Sequence, residues 1–127
     1  MSGNMLSRDA AFRLAAVIAA SAAVYHATAL TVPAFAKIAY PLDYPALRHV
    51  IFITINGSLV WLFLWRPIWL VWPYAVLTAQ VIQSHGGAAW MLWQTQRRID
   101  WISVLAVVAV PLCLLLLALD WRERVAR

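Results

Sequence analysis

The chain has 127 residues, of which 65% are hydrophobic and only 12% charged, and it carries a formal net charge of +5. A soluble domain of this size cannot cover so much apolar surface, which excludes an ordinary globular enzyme. Nor does the basic excess point to nucleic acid, because the arginines are scattered at the ends of apolar runs and do not form one basic face.

The composition implies an all-α integral membrane protein, a four-transmembrane-helix bundle with short connectors, folded as a single polytopic membrane domain over residues 1–127. A bilayer core about 30 Å thick asks for runs of roughly 20 apolar residues, and four runs qualify. The first covers about 10–31, is rich in alanine, follows Arg8 and Asp9, and is closed by Pro33. Ala34, Phe35 and Ala36 before Lys37 have the small-residue spacing of a signal-peptidase site. The apolar run before them exceeds the usual signal-peptide core of about 7 to 15 residues, so an uncleaved anchor is expected.

A connector with Lys37, Pro41 and Asp43 leads to the second run, about 45–65, with Pro45 as its first helical residue, where the missing N–H costs nothing. Arg66 and Pro67 make a tight turn into the third, about 68–94, whose polar residues come late. After Arg97 and Arg98 the fourth covers about 99–121, with Pro111 expected to kink it.

Four crossings place both termini on one side, together with Arg8, Arg13, Arg66, Arg122, Arg124 and Arg127; the other side receives Lys37, Arg48, Arg97 and Arg98. The positive-inside rule then predicts cytoplasmic N- and C-termini, in a bacterial inner (plasma) membrane. Tryptophans and tyrosines fall into two belts at the run ends, Trp61, Trp65, Trp69, Trp72 and Trp121 against Tyr40, Tyr44, Trp90, Trp93 and Trp101.

This topology puts His26, His49 and His85 on three different helices, each roughly 6 to 8 Å inside the non-cytoplasmic face at about 1.5 Å per residue. Arg48 lies at the same level, and Gln83 and Ser84 are close in depth. Polar side chains in a bilayer turn toward protein or a wet cavity. The expected site is therefore a ligand-binding pocket formed by His26, Arg48, His49, Asn56, Gln80, Gln83 and His85, with Tyr25 and Thr28 beside it and Asp43 at its mouth. Asn56 shares a helical face with His49, Gln80 continues the stripe inward, and Gly86 and Gly87 allow close approach. Against this stands a plainer role for the same polar groups, interhelical hydrogen bonds worth about 0.6 kcal/mol each.

No catalytic motif occurs: the acids sit near run ends or in connectors, and no intramembrane acid pair forms. One histidine per helix is chemically sufficient for a transition metal held by His26, His49 and His85, or for haem, although no HExxH or CxxC supports either cofactor. The single Cys113 reads as a small packing residue. The expected function is binding of a small amphipathic ligand, a lipid or quinone. The alternatives are a non-catalytic accessory subunit of a larger membrane complex, a homo-oligomer packed through the small residues of the first helix, and a metal- or haem-binding redox protein.

Overall fold

Alanine is the strongest helix former, and neither Gly nor Pro interrupts the chain between Gly3 and Pro33, so one long helix, α1 (Gly3–Thr31), forms there. The computed structural model describes residues 3–35 and 45–127, with side chains from Ser7 onward. The connector residues Lys37, Tyr40, Pro41, Asp43 and Tyr44 lie outside the described residues, as does Ala36 of the signal-peptidase pattern.

Pro45, in an extended conformation with ψ 141°, stands just before α2 (Ala46–Trp65) and not inside it. Arg66 ends α2 in the left-handed region at φ 54°, and its N–H returns to the Leu62 carbonyl. The next run is helical from Ile68 to Gln96 in successive pieces: a 3-10 turn (Ile68–Leu70), α3 (Val71–Val81), a π turn (Ile82–Gly86) and α4 (Gly87–Gln96). Arg97 stops it, again left-handed at φ 53°, with its N–H on the Trp93 carbonyl. Asp100 then caps α5 (Trp101–Val125), its carboxylate accepting from the Ser103 N–H as a helix N-cap does.

Among the described residues all regular structure is helical. Three helices are long and apolar enough to cross a membrane, Ser7–Thr31, Ala46–Trp65 and Trp101–Val125. The expected third run differs because its π turn and 3-10 start divide it into pieces, none of them span-length alone. Pro111 lies inside α5 without ending it.

The chain divides into two compact units, Met1–Arg66 and Pro67–Arg127. Each is an antiparallel helical hairpin. In the first, Asp9 bonds Arg66 at 2.8 Å, Phe12 meets Phe63 at 6.5 Å between ring centroids, and His26 meets His49. In the second, Trp72 meets Trp121, Tyr74 is hydrogen-bonded to Cys113, and His85 meets Ser103.

The buried positions explain why these faces pair. On α1 they are Phe12, Ala15, Ala16, Ala19, His26 and Ala29; on α2 they are His49, Phe52, Leu59 and Phe63. Spacings of three, four and seven make each set one helical stripe, and alanines on one side leave room for phenylalanines on the other. The second hairpin repeats the pattern at a constant offset within each helix. Ala15, Ala19, His26 and Ala29 correspond to Tyr74, Thr78, the half-buried His85 and Ala88, while His49, Leu59 and Phe63 correspond to Ser103, Cys113 and Leu117. Ala16 and Val17 also match Ala75 and Val76 in that frame.

The outer faces carry large exposed side chains, among them Leu14, Val24, Leu47, Trp61, Val76, Leu105 and Leu112. Polar side chains on the helices return to their own backbone: Ser21, Thr28, Thr31, Thr54, Thr78 and Thr95 each donate to the carbonyl four residues back. Hydroxyls satisfied within their own helix, on a largely apolar surface, are what a solvent without hydrogen-bonding capacity requires.

Candidate functional site

In the first hairpin the expected site residues His26, Arg48 and His49 lie toward the end of the first helix and the start of the second. The Nδ1 atoms of His26 and His49 lie 3.2 Å apart, so one imidazole donates and the other accepts. Both are buried, with 8% and 5% of their surfaces exposed. Phe52 lies stacked under His26, with centroids 5.0 Å apart and planes 12° from parallel, and the Tyr25 ring packs edge-on against the same imidazole. The Arg48 guanidinium covers the Phe52 ring at 5.7 Å.

Asn56, expected as a deep contact of the ligand, instead donates its Nδ2–H to the Phe52 carbonyl at 2.8 Å. The helix itself supplies its partner.

In the second hairpin the π turn Ile82–Gly86 contains Gln83, Ser84 and His85. A π turn widens the backbone ladder by one residue and breaks the regular i to i−4 pattern. Gly86 and Gly87, poor helix formers, follow at its end. The Ser84 hydroxyl lies 3.5 Å from the Val81 carbonyl, and Gln80 donates to Ser84 at 3.3 Å, so these side chains serve the interrupted ladder. Gln80 and Gln83 are exposed. Neither glycine marks a close helix contact: a methyl group on Gly87 would meet nothing within 4 Å, and one on Gly86 would only touch Val107 at 4.0 Å.

His85 makes the interhelical contact. Its Nδ1 is 3.0 Å from the Ser103 hydroxyl, which donates to Asp100 Oδ2 at 2.6 Å. A hydroxyl has one proton, and this one is given to the carboxylate, so the serine oxygen accepts from His85 Nδ1–H. Asp100 Oδ1 accepts from the Ser103 backbone N–H at 3.1 Å. The result is a chain of directed bonds, His85 to Ser103 to Asp100, joining the π turn to the first turn of α5.

Asp100 also lines an open groove of about 300 Å³ at the connector end of this hairpin, with Gly86, Ala89, Trp90, Trp93, Ile99 and Val104. Apart from the carboxylate the lining is apolar or aromatic. Such a surface holds the body of an amphipathic molecule and orients it through one polar group.

Of the sequence-expected residues, the structure therefore brings together His26 and His49, with Arg48 beside them across Phe52, and it places His85 with Ser103 in the other unit. Within neither unit do three His, Cys, Asp or Glu side chains among the described residues gather so as to hold a metal ion. Sequence reasoning missed Ser103 and the carboxylate wall of Asp100. The available signal was the N-cap spacing Asp100 to Ser103 opening an apolar run. Cys113 is buried against Tyr74, in keeping with a packing position.

Comparison with protein-family models, with curated proteins and with solved structures returns no match, so the functional reading rests on these residues alone.

Proposed function

We propose that the chain is a four-crossing protein of a bacterial plasma membrane that binds a small amphipathic molecule, a lipid or quinone, in the groove at the connector end of its second hairpin. The helical run from Ile68 to Gln96 supplies the additional crossing, since at about 1.5 Å per residue it is long enough for a bilayer core. In this reading the termini are cytoplasmic, the exposed Trp90, Trp93 and Trp101 lie at the opposite interface, and the ligand's head sits at the histidine level. Arg48, His26 and His49 are the polar groups of the first hairpin at that depth.

The observation that carries the proposal is the groove itself: an apolar, tryptophan-walled space of about 300 Å³ that ends on Asp100, a carboxylate held in place through Ser103 by His85. A group fixed by directed hydrogen bonds beside an apolar wall is preorganised to select a ligand.

Filling the groove tests this. Ala89→Trp adds an indole to its lining and is expected to reduce the lipid or quinone retained after detergent purification at least about tenfold, a loss of roughly 1.4 kcal/mol. Mass spectrometry of the extracted protein reads the result, with circular dichroism to show that the helices persist. Unchanged retention in Ala89→Trp would remove the groove as the site. If the native protein retains no amphiphile but co-purifies with a larger membrane partner, the accessory-subunit reading replaces this one.

A further inference from the structure

The charge distribution around the groove selects among amphiphiles, and the inference that follows rests on the ligand reading above. We infer that the occupant is a phospholipid with a zwitterionic, ammonium-bearing head group.

Asp100 is the polar group of the lining. Each of its oxygens already accepts one hydrogen bond, Oδ1 from the Ser103 N–H and Oδ2 from the Ser103 hydroxyl. A carboxylate offers about four lone-pair sites, so both oxygens keep the capacity to accept again, and neither can donate. The Ser103 hydroxyl beside it has its proton committed to Asp100. The carboxylate end of the groove therefore accepts from a donor or a cation and repels a carbonyl oxygen. A quinone ring presents two such oxygens; an ammonium presents the complement.

Trp90 and Trp93 line the same groove, and indole faces attract cations, most strongly where water is excluded. Trp93 already shows this property, since the Arg97 guanidinium sits 5.6 Å over its ring. Carboxylate and indoles together make a cation subsite. Immediately beside it the chain continues into the consecutive cations Arg97 and Arg98, both exposed in the connector. Guanidinium pairs with phosphate oxygens through parallel N–H bonds. An anion-binding rim next to a cation-binding wall, above an apolar groove, matches a phosphate and an ammonium joined in one head group on an acyl body.

The experiment delipidates the full chain and offers it dioleoyl phosphatidylethanolamine, phosphatidylcholine, phosphatidylglycerol and diacylglycerol in turn, with bound lipid counted by native mass spectrometry. The two ammonium lipids are expected to be retained roughly tenfold better than the other two. Asp100→Asn is expected to abolish that preference while the helix stays capped, because Asn is as good an N-cap as Asp. Equal retention of all four lipids, or a preference that survives Asp100→Asn, overturns the head-group inference and leaves the groove as a general apolar site. Retention of phosphatidylethanolamine undiminished by Ala89→Trp overturns both.

Discussion

Ala16→Leu is expected to destabilise the first hairpin by about 2 kcal/mol, near the middle of the range for overpacking a filled interface. Ala16 is buried on α1, and the register that sets Asp9 with Arg66, Phe12 with Phe63 and His26 with His49 brings it level with Leu59, also buried. Helices in lipid gain little from hiding apolar groups, since the alternative surroundings are equally apolar; they gain from close contact of matched shapes. Three added heavy atoms, one isopropyl group in place of a hydrogen, must push the helices apart here. Adding Leu59→Ala to the same chain exchanges large for small across the interface, and the pair should return to within about 1 kcal/mol of the native protein, as volume-conserving swaps do. Unfolding in bicelles followed by a steric-trap or denaturing-detergent titration measures each variant. A single Ala16→Leu chain as stable as the native one would show that this register is wrong.

The second expected result concerns the imidazole pair. His49→Leu removes the hydrogen bond between the two buried imidazoles, at an expected cost of about 1–2 kcal/mol. The double replacement His26→Leu with His49→Leu removes both ends of this bond and should restore part of that loss, because neither of its two ring nitrogens is then left buried without the other. The same titration gives the coupling as a double-mutant cycle. Two single losses that simply add in the double variant would mean that the rings do not share a bond.

These two interfaces also show what could be seen in the chain before its structure. The stops at Arg66–Pro67 and Arg97–Arg98 were legible, because charge and proline interrupt apolar runs there. The tryptophans at the run ends were legible for a related reason: an amphipathic ring favours a boundary. Rotation of the helices was not legible. Three histidines on three apolar runs could have faced any neighbour, and only the packed hairpins show that His26 chooses His49 while His85 chooses Ser103. The bond that Asn56 makes was not legible either. A short amide on a helix can bond either across to a neighbour or back to its own carbonyl, and residue spacing is the same in both cases. The π turn was hidden too, since Gln83, Ser84 and His85 would occupy a regular helix without violating any local preference that the apolar pattern reveals. Asp100 was visible as an acid near a run end, but its connection to Ser103 and the groove depended on the turn that α5 makes at its first residues.

Arg66 and Arg97 both end their helices with positive φ, a conformation that costs a residue with a Cβ roughly 1 kcal/mol or more and that glycine adopts freely. Glycine would give the easier stop. Arginine at these positions joins the end of a helix to a charge that resists entry into hydrocarbon, and each guanidinium is tied down besides, Arg66 on Asp9 and over Phe12, Arg97 over Trp93. In the four-crossing reading proposed above, these anchored cations fix a height: a hairpin that slid along the bilayer normal would have to drag one of them into oil or pull its apolar faces into water.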